Sequence, residues 1–74
     1  MNTISPSRLA VLRSQYPVGC TVELIDMNDT QAPPPGTRGR VVCVDDIGTI
    51  HVAWETGSSL GVAYGEDCCR RVDA

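Results

Sequence analysis

The sequence has no Phe and no Lys, a single Trp and a single His, and an aromatic share of only 4%. With so few rings, aliphatic side chains have to fill the interior. Each one counts, because a chain of 74 residues buries only about 60% of the surface that its unfolded form exposes. No stretch approaches the roughly 20 apolar residues that cross a bilayer, and "MNTISPSRLAVLRSQY" lacks the apolar run of a secretory signal. The expectation is a cytoplasmic protein with no membrane association. No two cysteines have the spacing of about two to four residues that forms a zinc knuckle. Cys68 and Cys69 are adjacent and would point to opposite sides of a strand. Four cysteines are also too few for a fold built on disulfides, so Cys20, Cys43, Cys68 and Cys69 are expected as thiols, with no metal and no cofactor. A basic surplus is missing too. Six basic against nine acidic residues give a net charge of −3 and a pI near 4.7, which repels a phosphate backbone at long range.

What is present is a change of hydrophobic period. Ser5 followed by Pro6 makes a helix entrance, since the hydroxyl caps a free N–H and proline at the first position gives up no hydrogen bond. Leu9, Leu12 and Tyr16 then share one face, and Pro17 with Gly19 ends the helix, predicted at about 6–15. From Cys20 the period becomes two. Strands are predicted in "CTVELI", "TRGRVVCV", "TIHVAW", "SSLGVAY" and "CCRRV", the last returning beside the first. Between the first two strands, "MNDTQAPPPG" reads as an exposed, proline-stiffened loop. "DDIG" and "ETGS" read as hairpin turns, with Gly57 placed for a type I turn with a bulge. Five short strands at this spacing predict one mainly β domain over residues 1–74, a small five-stranded barrel at about 18–73 preceded by one helix. Val22, Val41, Val52 and Leu60 are expected to meet in its interior.

The runs "YPVGCTVELIDMND", "APPPGTRGRVVCVDDIGTIHVAWETGSSLG" and "GEDCCRRV" resemble a domain-of-unknown-function family of small SH3-like barrel proteins from bacteria, phages and conjugative elements. The likeness covers roughly residues 9–72. It implies an SH3-like barrel, with "G-x-x-G-x-V" leading into "V-x-W-x-x-G", and it implies no activity.

Catalysis needs a base, an orienting acid and an oxyanion cradle together. One His on the face opposite Ile50 and Val52 offers little toward that, so no enzyme is expected; a crevice gathering His51, a thiol and a carboxylate would change this. Trp54 continues the inward set of Ile50 and Val52 but ends its strand, so it either packs the core or shares a groove with Glu55 and Tyr64. Asp45 and Asp46 read as turn formers that could add an acidic rim to that groove. The expected function is therefore a non-enzymatic protein-binding adaptor or regulatory module of the SH3-like type. Trp54, Glu55, Tyr64, Asp45 and Asp46 would receive a protein partner, with self-association as a further mode. The alternative is a nucleic-acid-associated accessory protein of a phage or mobile element, with Arg38, Arg40, Arg70 and Arg71 gathered on one face.

Overall fold

The computed structural model describes residues 4–72, so positions 1–3 and 73–74 of the expected domain lie outside the described residues. The helix α1 spans Pro6–Gln15. Ser5 caps it as its sequence implies, its hydroxyl oxygen accepting from the Arg8 N–H at 3.2 Å, and the Tyr16 N–H closes the far end on the Leu12 carbonyl. No residue of α1 is buried, although Leu12 and, just past its end, Tyr16 lean on the core. The helix is a flap over the sheet.

Among the described residues four strands follow: β1 Thr21–Asp26, β2 Arg38–Val44, β3 Ile50–Trp54 and β4 Cys68–Arg71. They form one open antiparallel sheet in the order β3-β2-β1-β4. The inward positions follow the period-two pattern: Val22 and Leu24 on β1, Val41 on β2, and Ile50, Val52 and Trp54 on β3, joined by Cys20 and Val62. Gly39 faces the same way, between Val22 and Trp54 in the register. A Cβ there would sit 2.6 Å from Val52 Cγ1 and 2.7 Å from the Ala53 carbonyl oxygen, so only glycine lets β2 approach β3 this closely.

The two hairpin turns are alike. Gly48 and Gly57 take positive φ, and each donates its N–H to the carbonyl three residues earlier, on Asp45 and Trp54. The long loop before β2 is less exposed than its composition suggests. Pro33 is buried, and the Pro34 carbonyl accepts from both the N–H and the hydroxyl of the buried Thr37.

The expected closed barrel of five strands is replaced by this open sheet of four. "SSLGVAY" contributes only a lone bridge between Val62 and Ile50. Val22, Val41 and Val52 are buried as expected, but Leu60 is only half-buried and stays outside the core cluster. The cause lies in Trp54. Its ring is 3% exposed, and its Nε1–H donates to the Leu60 carbonyl at 2.8 Å, so that carbonyl is turned toward the indole and the segment departs from a regular ladder. Burying an indole N–H without an acceptor would cost about 1–3 kcal/mol, which gives the side-chain bond its priority.

Trp54→Ala is expected to cost about 3–5 kcal/mol, near the whole stability of so small a domain. Trp54→Phe, which keeps the ring and frees the Leu60 carbonyl, should cost less, about 1–3 kcal/mol. Urea titrations of the two variants check both values, and a folded, unperturbed alanine variant would contradict the core role.

Candidate functional site on the outer sheet face

The outward positions of β1, β2 and β4 bring three arginines together. Glu23 on β1 lies opposite Arg38 on β2 and Arg70 on β4, so the register alone makes a row of alternating charge. Arg70 reaches Glu23 Oε2 from both Nε and Nη2 at 3.1 Å, and Arg38 Nε lies 3.6 Å from Oε1. The Glu23 side chain is only 18% exposed, screened by the guanidinium groups on either side. One row along, Arg40 lies between Thr21 and Ala53, both too short to reach it. Among the described residues it has no ion-pair partner. Glu55, just beyond β3, returns its N–H to the Arg38 carbonyl and accepts weakly from the Arg38 N–H at 3.3 Å. Its carboxylate also lacks an ion pair among the described residues. Thr21, Arg38, Gly39, Arg40, Ala53 and Glu55 line a shallow concavity of about 400 Å³ between these two charges.

Arg71 does not belong to this face. Neighbours on a strand point to opposite sides, and Arg71 lies opposite the inward Val22. Its Nη1 donates to the Gln15 carbonyl at 3.3 Å, where a cation complements the negative end of α1. The nucleic-acid set is thereby reduced to Arg38, Arg40 and Arg70, with Glu23 in their midst.

The expected partner-binding set does not converge either. Trp54 is in the core, with its one polar atom satisfied. Glu55 follows the end of β3, whereas Asp45 and Asp46 precede its start, about 16 Å away at the rise of an extended strand. Tyr64 lies with the second group, close to Gly48. Neither aspartate is a bare rim charge: Asp46 Oδ1 pairs with Arg13 Nη2 at 2.8 Å, and Asp45 Oδ2 meets His51 Nε2 at 2.8 Å.

Asp45 also accepts the N–H groups of Ile47 and Thr49 on Oδ1, which fixes the turn into β3. Desolvation opposes its ionisation, but the His51 hydrogen bond, the two N–H groups and the His51 charge outweigh it, and its pKa is lowered. Cys43 lies opposite His51 in the register, so a thiol, the imidazole and a carboxylate do come near one another beside a second concavity of about 340 Å³. No hydrogen bond joins the Cys43 thiol to the ring, and Asp45 is committed to the turn. The grouping has no assembled nucleophile and base. At the other edge, burial, reinforced by the neighbouring Cys68, pushes the Cys69 thiol up to about 11, and burial likewise raises the pKa of Tyr16, whose phenol donates to the Cys69 carbonyl at 3.4 Å. No disulfide joins any of the four cysteines. Among the described residues no group of three or more His, Cys, Asp or Glu side chains is placed to hold a metal ion, and no helix is long and apolar enough to cross a membrane.

Reading the sequence alone singled out the arginines but missed Thr21, Glu23 and Ala53, the residues that shape the face. The period-two pattern does place all three outward. Their meeting with Arg38, Arg40 and Arg70 depends on strand register, which no local signal carries.

Fold and face together define a small antiparallel β domain with a mixed-charge sheet surface. The chain belongs to the family described as a domain of unknown function, DUF4314, whose model matches residues 5–72. No curated protein and no solved structure matches it.

Because the folded pKa of Asp45 is lowered, the stability it supplies is present above the unfolded carboxylate pKa, about 3.9, and is lost as pH falls through the folded value. Asp45→Asn should therefore lower the melting temperature at neutral pH and flatten its fall below about pH 4. An unchanged acid limb would remove the turn-fixing role. For the thiols, alkylation of the native protein near neutral pH should modify exposed Cys43 and Cys68 first and leave Cys69 and buried Cys20 until unfolding. Peptide mass mapping reads the order.

Proposed function

We propose that this domain is a non-enzymatic protein-binding module, an adaptor or regulatory unit, that receives its partner on the outer face of β1, β2 and β3. The observation that carries the reading is the concavity between Arg40 and Glu55, floored by Thr21, Gly39 and Ala53. Unpaired charges of both signs stand there around short side chains on a hydrogen-bonded sheet. A rigid frame with low relief and mixed charge suits protein docking, because the fixed charges select register and reject mismatched surfaces. The frame is read as SH3-like: the meander β1, β2, β3, the bridge at Val62 in the place of another strand, and the return of β4 to β1 support it. Four cysteines with no disulfide among them support residence in a reducing compartment such as the cytoplasm.

The second reading, a nucleic-acid-associated accessory protein of a phage or mobile element, is favoured by the convergence of Arg38, Arg40 and Arg70. Against it, Glu23 holds two of those three guanidinium groups, and Glu55 stands beside the third. A phosphate backbone needs uncompensated cations, and three guanidinium groups against the two carboxylates Glu23 and Glu55 leave this face few, on a chain of net charge −3.

A photo-crosslinking amino acid at the exposed Ala53, with a control at Val11 on α1, tests the proposal in host extract. Ala53 is expected to capture another polypeptide, Val11 none, and Arg40→Glu should cut the yield about fivefold or more. No adduct specific to Ala53 would sink the docking face. In gel-shift assays, mixed RNA and DNA should stay unbound at about 150 mM salt. A shift that weakens steeply with salt and is lost in Arg40→Ala would establish the nucleic-acid reading instead.

A further inference from the structure

We infer that the occupant of the outer face is a second copy of this chain, held by reciprocal pairing of Arg40 in each copy with Glu55 in the other. The inference rests on the proposal that this face docks a protein. Arg40 lies opposite Ala53, while Arg38 is bonded to Glu55 through the backbone, so Arg40 and Glu55 occupy diagonal corners of one four-residue block. Such corners are about 7–8 Å apart, near enough to line one concavity. Both nevertheless lack an ion-pair partner among the described residues.

A two-fold axis lying in the face along the other diagonal, from Arg38 to Ala53, exchanges these corners. Each Arg40 then meets a Glu55, and one favourable contact is made twice, as in any isologous interface. The residues on the axis meet their own copies. Ala53 has no bulk to obstruct the approach, and the charge of Arg38 is partly offset by Glu23, which it shares with Arg70. Next to Ala53, Val42 is 54% exposed at the β2 bulge, an apolar side chain that the second copy would cover.

Charge argues for this occupant over others. A uniformly basic partner would meet three arginines on the face itself, and a uniformly acidic one would meet Glu23 and Glu55 there. A second copy presents the same mixed pattern and matches it.

Sedimentation equilibrium of the full chain from about 10 µM to 1 mM tests the inference, circular dichroism confirming that each variant is folded. The weight-average mass should rise from 7.9 kDa toward twice that value, and less readily as salt is added. Arg40→Glu alone and Glu55→Arg alone should each weaken association about tenfold or more, and the double variant, with the charges exchanged, should recover most of the loss. A single species of 7.9 kDa at every concentration would overturn the second copy, as would single exchanges without effect. If the chain is monomeric while Ala53 still captures a different protein, the second copy falls and the docking face stands. If it is monomeric and Ala53 captures nothing, both fall.

Discussion

One side chain sets the terms for the rest of the molecule: Trp54 has to be dry and hydrogen-bonded at once. In a core otherwise made mostly of Val, Leu and Ile, its indole is the largest apolar unit, and its N–H needs an acceptor inside. The Leu60 carbonyl meets that need at 2.8 Å. The same bond spoils a regular fifth strand, because a carbonyl aimed at the indole is turned from the ladder. What remains of that strand is the bridge at Val62, and the sheet stays open.

An open sheet leaves two edges to protect, and small devices cover them. On the β4 side, Tyr16 donates to the Cys69 carbonyl and Arg71 to the end of α1, so the helix shields backbone that would otherwise offer itself for pairing. On the β3 side, the bridge at Val62 and the bond from the Trp54 N–H to the Ser58 carbonyl occupy the two ends of the strand. Arg13 ties α1 to the β2–β3 turn through the Val44 carbonyl and Asp46. With its ends and edges committed to such contacts, the sheet keeps the outer face of β1 to β3 as a broad surface, the one on which the proposed partner would sit.

That face illustrates how a chain of negative net charge can present a local balance of its own. Glu23 shares its one negative charge between Arg38 and Arg70, which weakens their long-range attraction and holds both close to the sheet. Arg40 and Glu55 are left as the pair of opposite charges available to another surface. Reading charge as a total would have hidden this, since the acidic surplus sits largely in turns, where Asp45, Asp46 and Asp67 hold backbone N–H groups or an arginine.

Local rules read from the sequence were enough for the elements themselves. The helix, set by its Ser-Pro entrance, fills Pro6–Gln15, and the strands with clear period-two alternation lie within a residue of their expected limits. Those features depend on backbone preference and on which side of a strand faces oil, and both are properties of neighbours in the chain. Tertiary structure alone decided whether "SSLGVAY" would pair, because an indole six residues away competed for the Leu60 carbonyl. It also decided which arginines share a face: strand alternation separates Arg70 from Arg71, but only register brings Arg70 to Glu23 and Arg38. The same holds for the meeting of His51 with Asp45. Contacts between strands depend on which rung faces which, and a slip of one residue would rearrange every partner while leaving the local pattern almost unchanged.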